Sequence, residues 1–231
     1  MLAPTTELTN FSIPVIHGLP GVGKDMKDHY LVTSTFLLKP KASLPTPGAV
    51  ALLNPLRDVG SQASMAWLQS PAAYASEFAA LDKATQEHLV KVLSFEFIVV
   101  NTNMAQVALS RPDAEVLTLV VGVMNALSTG SVKFASSNPS DGLIIDSNYI
   151  SHPYDRRVVI EALRMIREYS KVPSIANVTE NLIEGPASYE GDDHILEHAK
   201  RPVQPEWHYG GTCRMGKEGG AMSVMDCGFR V

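Results

Sequence analysis

The strand-forming runs of this chain stand together, ahead of its strongest helical pattern. "YLVTSTFLL" (30–38) is rich in β-branched and aromatic residues, "FEFIVV" (95–100) alternates with the two-residue period of a strand, and "EVLTLVVGVM" (115–124) continues the series. "GSVKFASS" (130–137) sets Val132 and Phe134 against Lys133, and the turn formers "NPSDG" that follow predict a hairpin or meander. Helical spacing comes next. Over 154–171, Val159, Ala162, Leu163, Ile166 and Tyr169 share one stripe, while Arg156, Arg164, Arg167 and Glu168 lie elsewhere on the wheel; Pro173 closes the run. "DDHILEHAKR" (192–201) carries acids first and bases last, as the helix dipole favours. A further helix is expected over 71–81, capped by Ser70 with Pro71 at its first position, and "TQEHLVKVL" (85–93) also has helical spacing. "KPKASLPTPG" (39–48) is a loop. Strands gathered before helices, not alternating with them, predict an α+β fold: an antiparallel sheet with helices packed on one face.

At 231 residues the chain is long enough to bury about 70% of the surface its unfolded form exposes. A net charge of −5, with Lys and Arg in no run or stripe, gives no footprint for nucleic acid. The longest nearly apolar run, Val116 to Leu127, is too short to cross a bilayer as a helix. "MLAPTTELTN" lacks the basic and apolar regions of a signal peptide, so the expectation is a cytoplasmic protein with no membrane partner. Cys213 and Cys227 form no CxxC or Cys/His pattern and are read as unpaired thiols.

Several motifs compete for chemistry. "LPGVGKDMKDH" (19–29) runs GxGxxM with no strand before it and no acid closing a βαβ unit, so it reads as a tight turn and not as a dinucleotide fingerprint. His194 and His198 sit one helical turn apart, but HxxxH without further ligands reads as a solvated helix face, and no metal site is expected. GxSxG is absent, which leaves Ser/His/Asp chemistry without an anchor. His208 differs. In "PEWHYGGTCRMG" (205–216) it stands between Trp207 and Tyr209 and runs into Gly210 and Gly211, so backbone can approach a planar ligand closely while aromatics exclude water. An imidazole so placed can take or give a proton; a histidine packed in a glycine turn is the other reading of the same pattern.

"WHYGGTCRMG", with "VMDCGFRV" (224–231), resembles the C-terminal active-site segment of the glucose-methanol-choline (GMC) flavoprotein oxidoreductases. "LPGVGKDMKDH" is similar to that family's LPGVGxNLxDH segment, and "STGSVKFASSNPSDGLIIDSNYISHPYD" (128–155) to its substrate-domain stretch; the region between about 40 and 110 carries no such signature. The resemblance implies a sheet with helices against one face and the other face closing over the flavin. It implies that His208 is catalytic, accepting a hydroxyl proton as hydride leaves for the flavin, and that Trp207 and Tyr209 line the substrate pocket. The implied cofactor is FAD, its binding residues are unassigned, and the implied substrate is a small-molecule alcohol or a polyketide-like compound of secondary metabolism. The N-terminal FAD-binding domain and the return segment carrying the second catalytic residue have no counterpart in the match. The expected organisation is a residual segment (1–29) resembling the end of the FAD-domain portion, a substrate-binding-like domain (30–204), and an active-site loop with a truncated strand (205–231). Two alternatives stand beside an alcohol dehydrogenase or oxidase: a flavin-independent cyclase, dehydratase or isomerase using His208 as acid and base, and a non-catalytic binding module. A sheet face evolved against another domain implies a homo-oligomer, or a partner that covers it.

Overall fold

The computed structural model describes residues 1–40, 62–68 (as backbone), 75–104, 108–109 and 114–231. Its elements run β1 (Leu2–Ala3), α1 (Thr5–Asn10), β2 (His17–Gly18), β3 (Tyr30–Leu38), β4 (Gln62–Leu68), α2 (Ser76–Ala79), α3 (Lys83–Leu89), β5 (Phe95–Val100), β6 (Val116–Val123), β7 (Ser131–Lys133), β8 (Ile144–Asp146), α4 (Pro153–Ser170), α5 (Pro173–Ala176), β9 (Thr179–Glu184), α6 (Asp192–Ala199) and β10 (Gln204–Pro205). Contacts divide the chain into a smaller unit, Met1–Asp28, Ala126–Ser151 and Trp207–Val231, and a larger one, His29–Asn125 and His152–Glu206.

The larger unit is built on an antiparallel sheet in the order β10-β3-β6-β5-β4. On the outer side of β3, β10 takes Tyr30 and Leu31, and β9 takes Thr35 to Leu38. The α+β class and the antiparallel sheet are as the segregated strand and helix patterns predict. Tyr30 pairs with Val123 and the register holds to Leu37 opposite Val116; every position of β3 and β6 is buried. That is why both segments read as nearly continuous strand formers without a polar face. Two of the hydroxyls among them are satisfied in place: Thr118 Oγ1 donates to the Thr102 carbonyl, so Thr35, directly opposite at 3.1 Å, donates to Thr118.

α4 packs on β3 and β6 through Val158, Val159, Ala162, Leu163 and Ile166, all buried. Burial of each of the larger of these side chains contributes roughly 1.5–3 kcal/mol. The helix begins at Pro153, whose missing N–H costs nothing there, and His152 Nδ1 accepts the Tyr154 N–H at 3.1 Å as the cap. Arg157 and Arg164 bind Asp192 at 3.0 and 2.7 Å and both reach Glu161, which ties α4 to the start of α6.

Two expectations change. Ser70 and Pro71 lie outside the described residues, and what is described of the 71–81 helix is the single turn α2; Asp82, accepting the Thr85 N–H at 3.0 Å, caps a new helix, α3, immediately after it. The strand expected over 130–137 stops at Lys133, because the Phe134 N–H is taken at 2.7 Å by Glu7 Oε1 and not by a strand partner. Most of the 39–48 loop lies outside the described residues.

In the smaller unit, β7 and β8 form the hairpin expected around "NPSDG", with Ser131 opposite Asp146. β1 and β2 pair in parallel, and single bridges join Met26 to Gly130, Lys27 to Gly210, and Met215 to Met225. No described helix is long and apolar enough to cross a membrane.

Candidate active site

The backbone of His208 is held in place by a set of hydrogen bonds. The Lys27 and Gly210 amides and carbonyls exchange two hydrogen bonds of 2.9 Å, and the Gly23 N–H donates to the Thr212 carbonyl at 2.9 Å. These bonds draw the 207–212 loop onto the 19–28 segment. The contact requires glycine at 211 (φ +91°), where a Cβ would sit 2.2 Å from the Asp25 carbonyl oxygen; Gly23 (φ +74°) is required separately, since a Cβ there would sit 2.1 Å from the Val132 carbonyl oxygen.

Asp28 supplies the next anchor. It is 6% exposed; Oδ1 accepts the His208 backbone N–H at 2.8 Å and Oδ2 accepts the Tyr149 hydroxyl at 2.6 Å. Burial, then donation to this carboxylate, pushes the Tyr149 phenol well above its ordinary range, so it remains a fixed donor at physiological pH. One carboxylate thereby pins the hairpin end and the histidine loop together. Trp207, just before the histidine, adopts φ +61°, a left-handed conformation that costs a non-glycine residue roughly 1–3 kcal/mol and recurs where surroundings hold a functional side chain in place. Trp207 is 70% exposed, Tyr209 54%, and His208 is exposed between them.

The loop therefore presents Trp207, His208 and Tyr209 together at the surface of the smaller unit, and the cavity nearest them in sequence does not include His208. That cavity, about 170 Å³, is lined by residues including Val22, Gly23, Val132, Phe134, Thr212 and Cys213. Its volume is a fraction of what a dinucleotide fills, and the space against the Gly21–Gly23 turn, where a phosphate would have to sit, is filled by Val132 and Met222 backbone. This cavity therefore does not fit a flavin dinucleotide. Cys213 and Cys227 are both free thiols and exposed.

Asp28 and Tyr149 carry no motif of their own. Each lies inside a segment singled out in the sequence, but a carboxylate's grip on an amide 180 residues away has no local signal. His198 corrects the reading of 194 and 198 as a solvated face: His194 is exposed, but His198 is buried at 3% because its stripe of α6 turns inward with Ile195 and Ala199.

Residues 126–231 match the family model described as GMC oxidoreductase. An alcohol dehydrogenase [acceptor] of Pseudomonas putida is 30% identical over 95% of this chain and 39% of its own length. Dehydrogenase pkfF of Emericella nidulans is 26% identical over the whole chain and 40% of its own length. The chain is thus similar to GMC oxidoreductases, whose family model covers its residues 126–231. It corresponds to the C-terminal part, spanning about 40% of the length of the relatives it matches. Among solved GMC-like folds, a formate oxidase superposes with a TM-score of 0.77 at 20% identity, over 97% of this chain and 43% of that one. A pyridoxine 4-oxidase from Mesorbium loti gives 0.70 at 21% identity, over 99% and 40%. The three GMC-like blocks, 19–29, 128–155 and 205–231, fall almost wholly within the smaller unit, so segments far apart in sequence fold together around the histidine loop.

Proposed function

We propose that this chain contributes the substrate-facing, proton-accepting part of a GMC-type oxidoreductase that oxidises a CH–OH group with FAD. The observation that carries the reading is the Asp28 anchor: a buried carboxylate fixes the backbone of an exposed histidine between two exposed aromatics. In this role His208 accepts the hydroxyl proton of an alcohol, which raises electron density on the oxygen and weakens the adjacent C–H bond. Trp207 and Tyr209 flank the substrate and exclude water. The described residues do not fit FAD, so the hydride step is not assigned to them. The flavin belongs to the larger part of the architecture that the matched relatives carry.

The apolar side chains left exposed support that division. None is on β3 or β6; Val90, Leu93 and Leu182 lie in the larger unit, but most are in the smaller one, where Ile145, Trp207 and Phe229 are 61%, 70% and 76% exposed. A flavin-binding part or a second copy would cover them. The substrate is a small alcohol, with a polyketide-like intermediate as the larger candidate.

The test joins the chain to the flavin-binding part of a GMC oxidoreductase and follows the visible spectrum through desalting, then on adding benzyl alcohol or choline without oxygen. Retained flavin bands that bleach with alcohol are expected. A colourless chain that converts a substrate without redox change would favour the flavin-independent acid–base enzyme instead. A colourless chain with no conversion would leave a binding module.

A further inference from the structure

A second polar cavity, unrelated to the histidine loop, lies within the larger unit. It measures about 520 Å³ and is lined by the end of β9 and the segment after it, and by α6 and the residues that follow, none of them from 205–216. Three functional side chains face it: Glu184, His198 and Arg201, among the apolar Leu182, Ile183 and Pro202. His198 Nε2 lies 3.0 Å from the Thr33 carbonyl and 3.1 Å from Glu184 Oε1. A carbonyl only accepts, so Nε2 carries the hydrogen. Glu184 Oε2 in turn accepts from the Thr33 hydroxyl at 3.2 Å, and the Thr35 backbone N–H also donates to this carboxyl group.

The charge in this cavity has one sign. Arg201 is exposed at its edge, and among the described residues its guanidinium makes no ion pair. Burial holds the His198 ring below its ordinary range, so it stays neutral, and burial raises the Glu184 carboxyl to about 7 against the lowering pull of Thr33, Arg201 and Thr35. The remaining group that senses Glu184 is Tyr189, with the Arg167 guanidinium over its ring; β3 contributes only the threonines. The site is therefore positive below pH 7 and neutral above it, never negative. The Thr33 hydroxyl, the Thr35 N–H and the His198 Nε2–H meet Glu184 from the protein side, and the carboxyl group also lines the cavity.

We propose that this cavity is a binding site for a small organic carboxylate, with Arg201 pairing the carboxylate, the Glu184 acid donating to it, and Leu182, Ile183 and Pro202 holding the apolar body. No bond is made or broken; the ligand binds as an anion and is favoured when Glu184 is protonated. A guanidinium and a carboxylic acid converging on one anion, above apolar walls, is the usual division of labour in a small-molecule site.

Calorimetric titration of the chain with benzoate, and with neutral benzamide as its isostere, tests this. Benzoate is expected to bind about tenfold more tightly at pH 6 than at pH 8, following the protonated fraction of Glu184, and benzamide not to bind. Glu184→Gln should remove the pH dependence. Arg201→Gln, at an exposed position that leaves the fold intact by circular dichroism, should abolish binding at both pH values. The proposal is overturned if benzoate gives no heat at either pH, if benzamide binds equally well, or if Arg201→Gln binds like the parent. The Arg201→Gln result decides the matter even should Glu184→Gln fail to fold.

Discussion

Asp28 makes the histidine loop a positioned element and not a surface turn. Its two oxygens are each committed to one partner, the His208 N–H and the Tyr149 hydroxyl. A hydrogen bond to a charged acceptor contributes about 1.5–3 kcal/mol. Tyr149→Phe deletes that donor and leaves the ring, so it should lower unfolding stability by about 1–3 kcal/mol in urea titration and slow any His208-dependent turnover. A stability within about 0.5 kcal/mol of the parent would show that Asp28 does not depend on Tyr149. His208 was singled out as a candidate from its neighbours, because an imidazole between two aromatics and before a glycine pair is a local pattern of consecutive residue types. Asp28 and Tyr149 were not. Their roles arise only when a hairpin and a terminal loop meet, and no periodicity encodes that distance.

Among the elements, the central strands and the long helix are the parts that local pattern states most fully. β3 and α4 appear where composition and the apolar stripe put them, since nearly every residue of β3 is a strand former and α4 has one continuous buried face. The β7 end was less legible: Phe134 continues the alternation, but Glu7 from a distant segment takes its amide. β9 hides a different feature. Glu184 closes a strand with little apolar alternation, and nothing in "TENLIE" marks the last acid as half-buried.

Burial there has a pH signature. Glu184 in the folded chain holds its proton up to about 7, while the unfolded chain releases it near 4.5. The native state binds more protons across that window, so its stability is full below about 4.5 and falls as pH rises towards 7. A glutamine in its place has no proton to lose. Glu184→Gln should therefore gain about 2–3 kcal/mol relative to the parent between about pH 5 and pH 8 in denaturant unfolding. His198, held low by burial, costs stability only as pH falls through about 6.5, and does so in both proteins. A parent and variant whose difference is flat with pH would mean that Glu184 ionises as an ordinary surface acid.

On the scale of the whole molecule, three separated segments of GMC character converge on one unit, and a second unit supplies the antiparallel sheet. The fold class was readable because strands and helices are segregated along the chain. The assembly of segments 19–29, 128–155 and 205–231 into one unit was not, because long-range contacts carry no local signal. The proposed division of labour gives these residues the proton and leaves the hydride to a flavin-binding part. The most direct measurement is the single-turnover rate of alcohol-dependent flavin bleaching in the joined protein, compared between the parent and His208→Ala at equal flavin content. A fall of at least about 100-fold with the flavin still bound is the predicted result. A His208→Ala rate within about twofold of the parent would contradict the assignment of His208 as the proton acceptor.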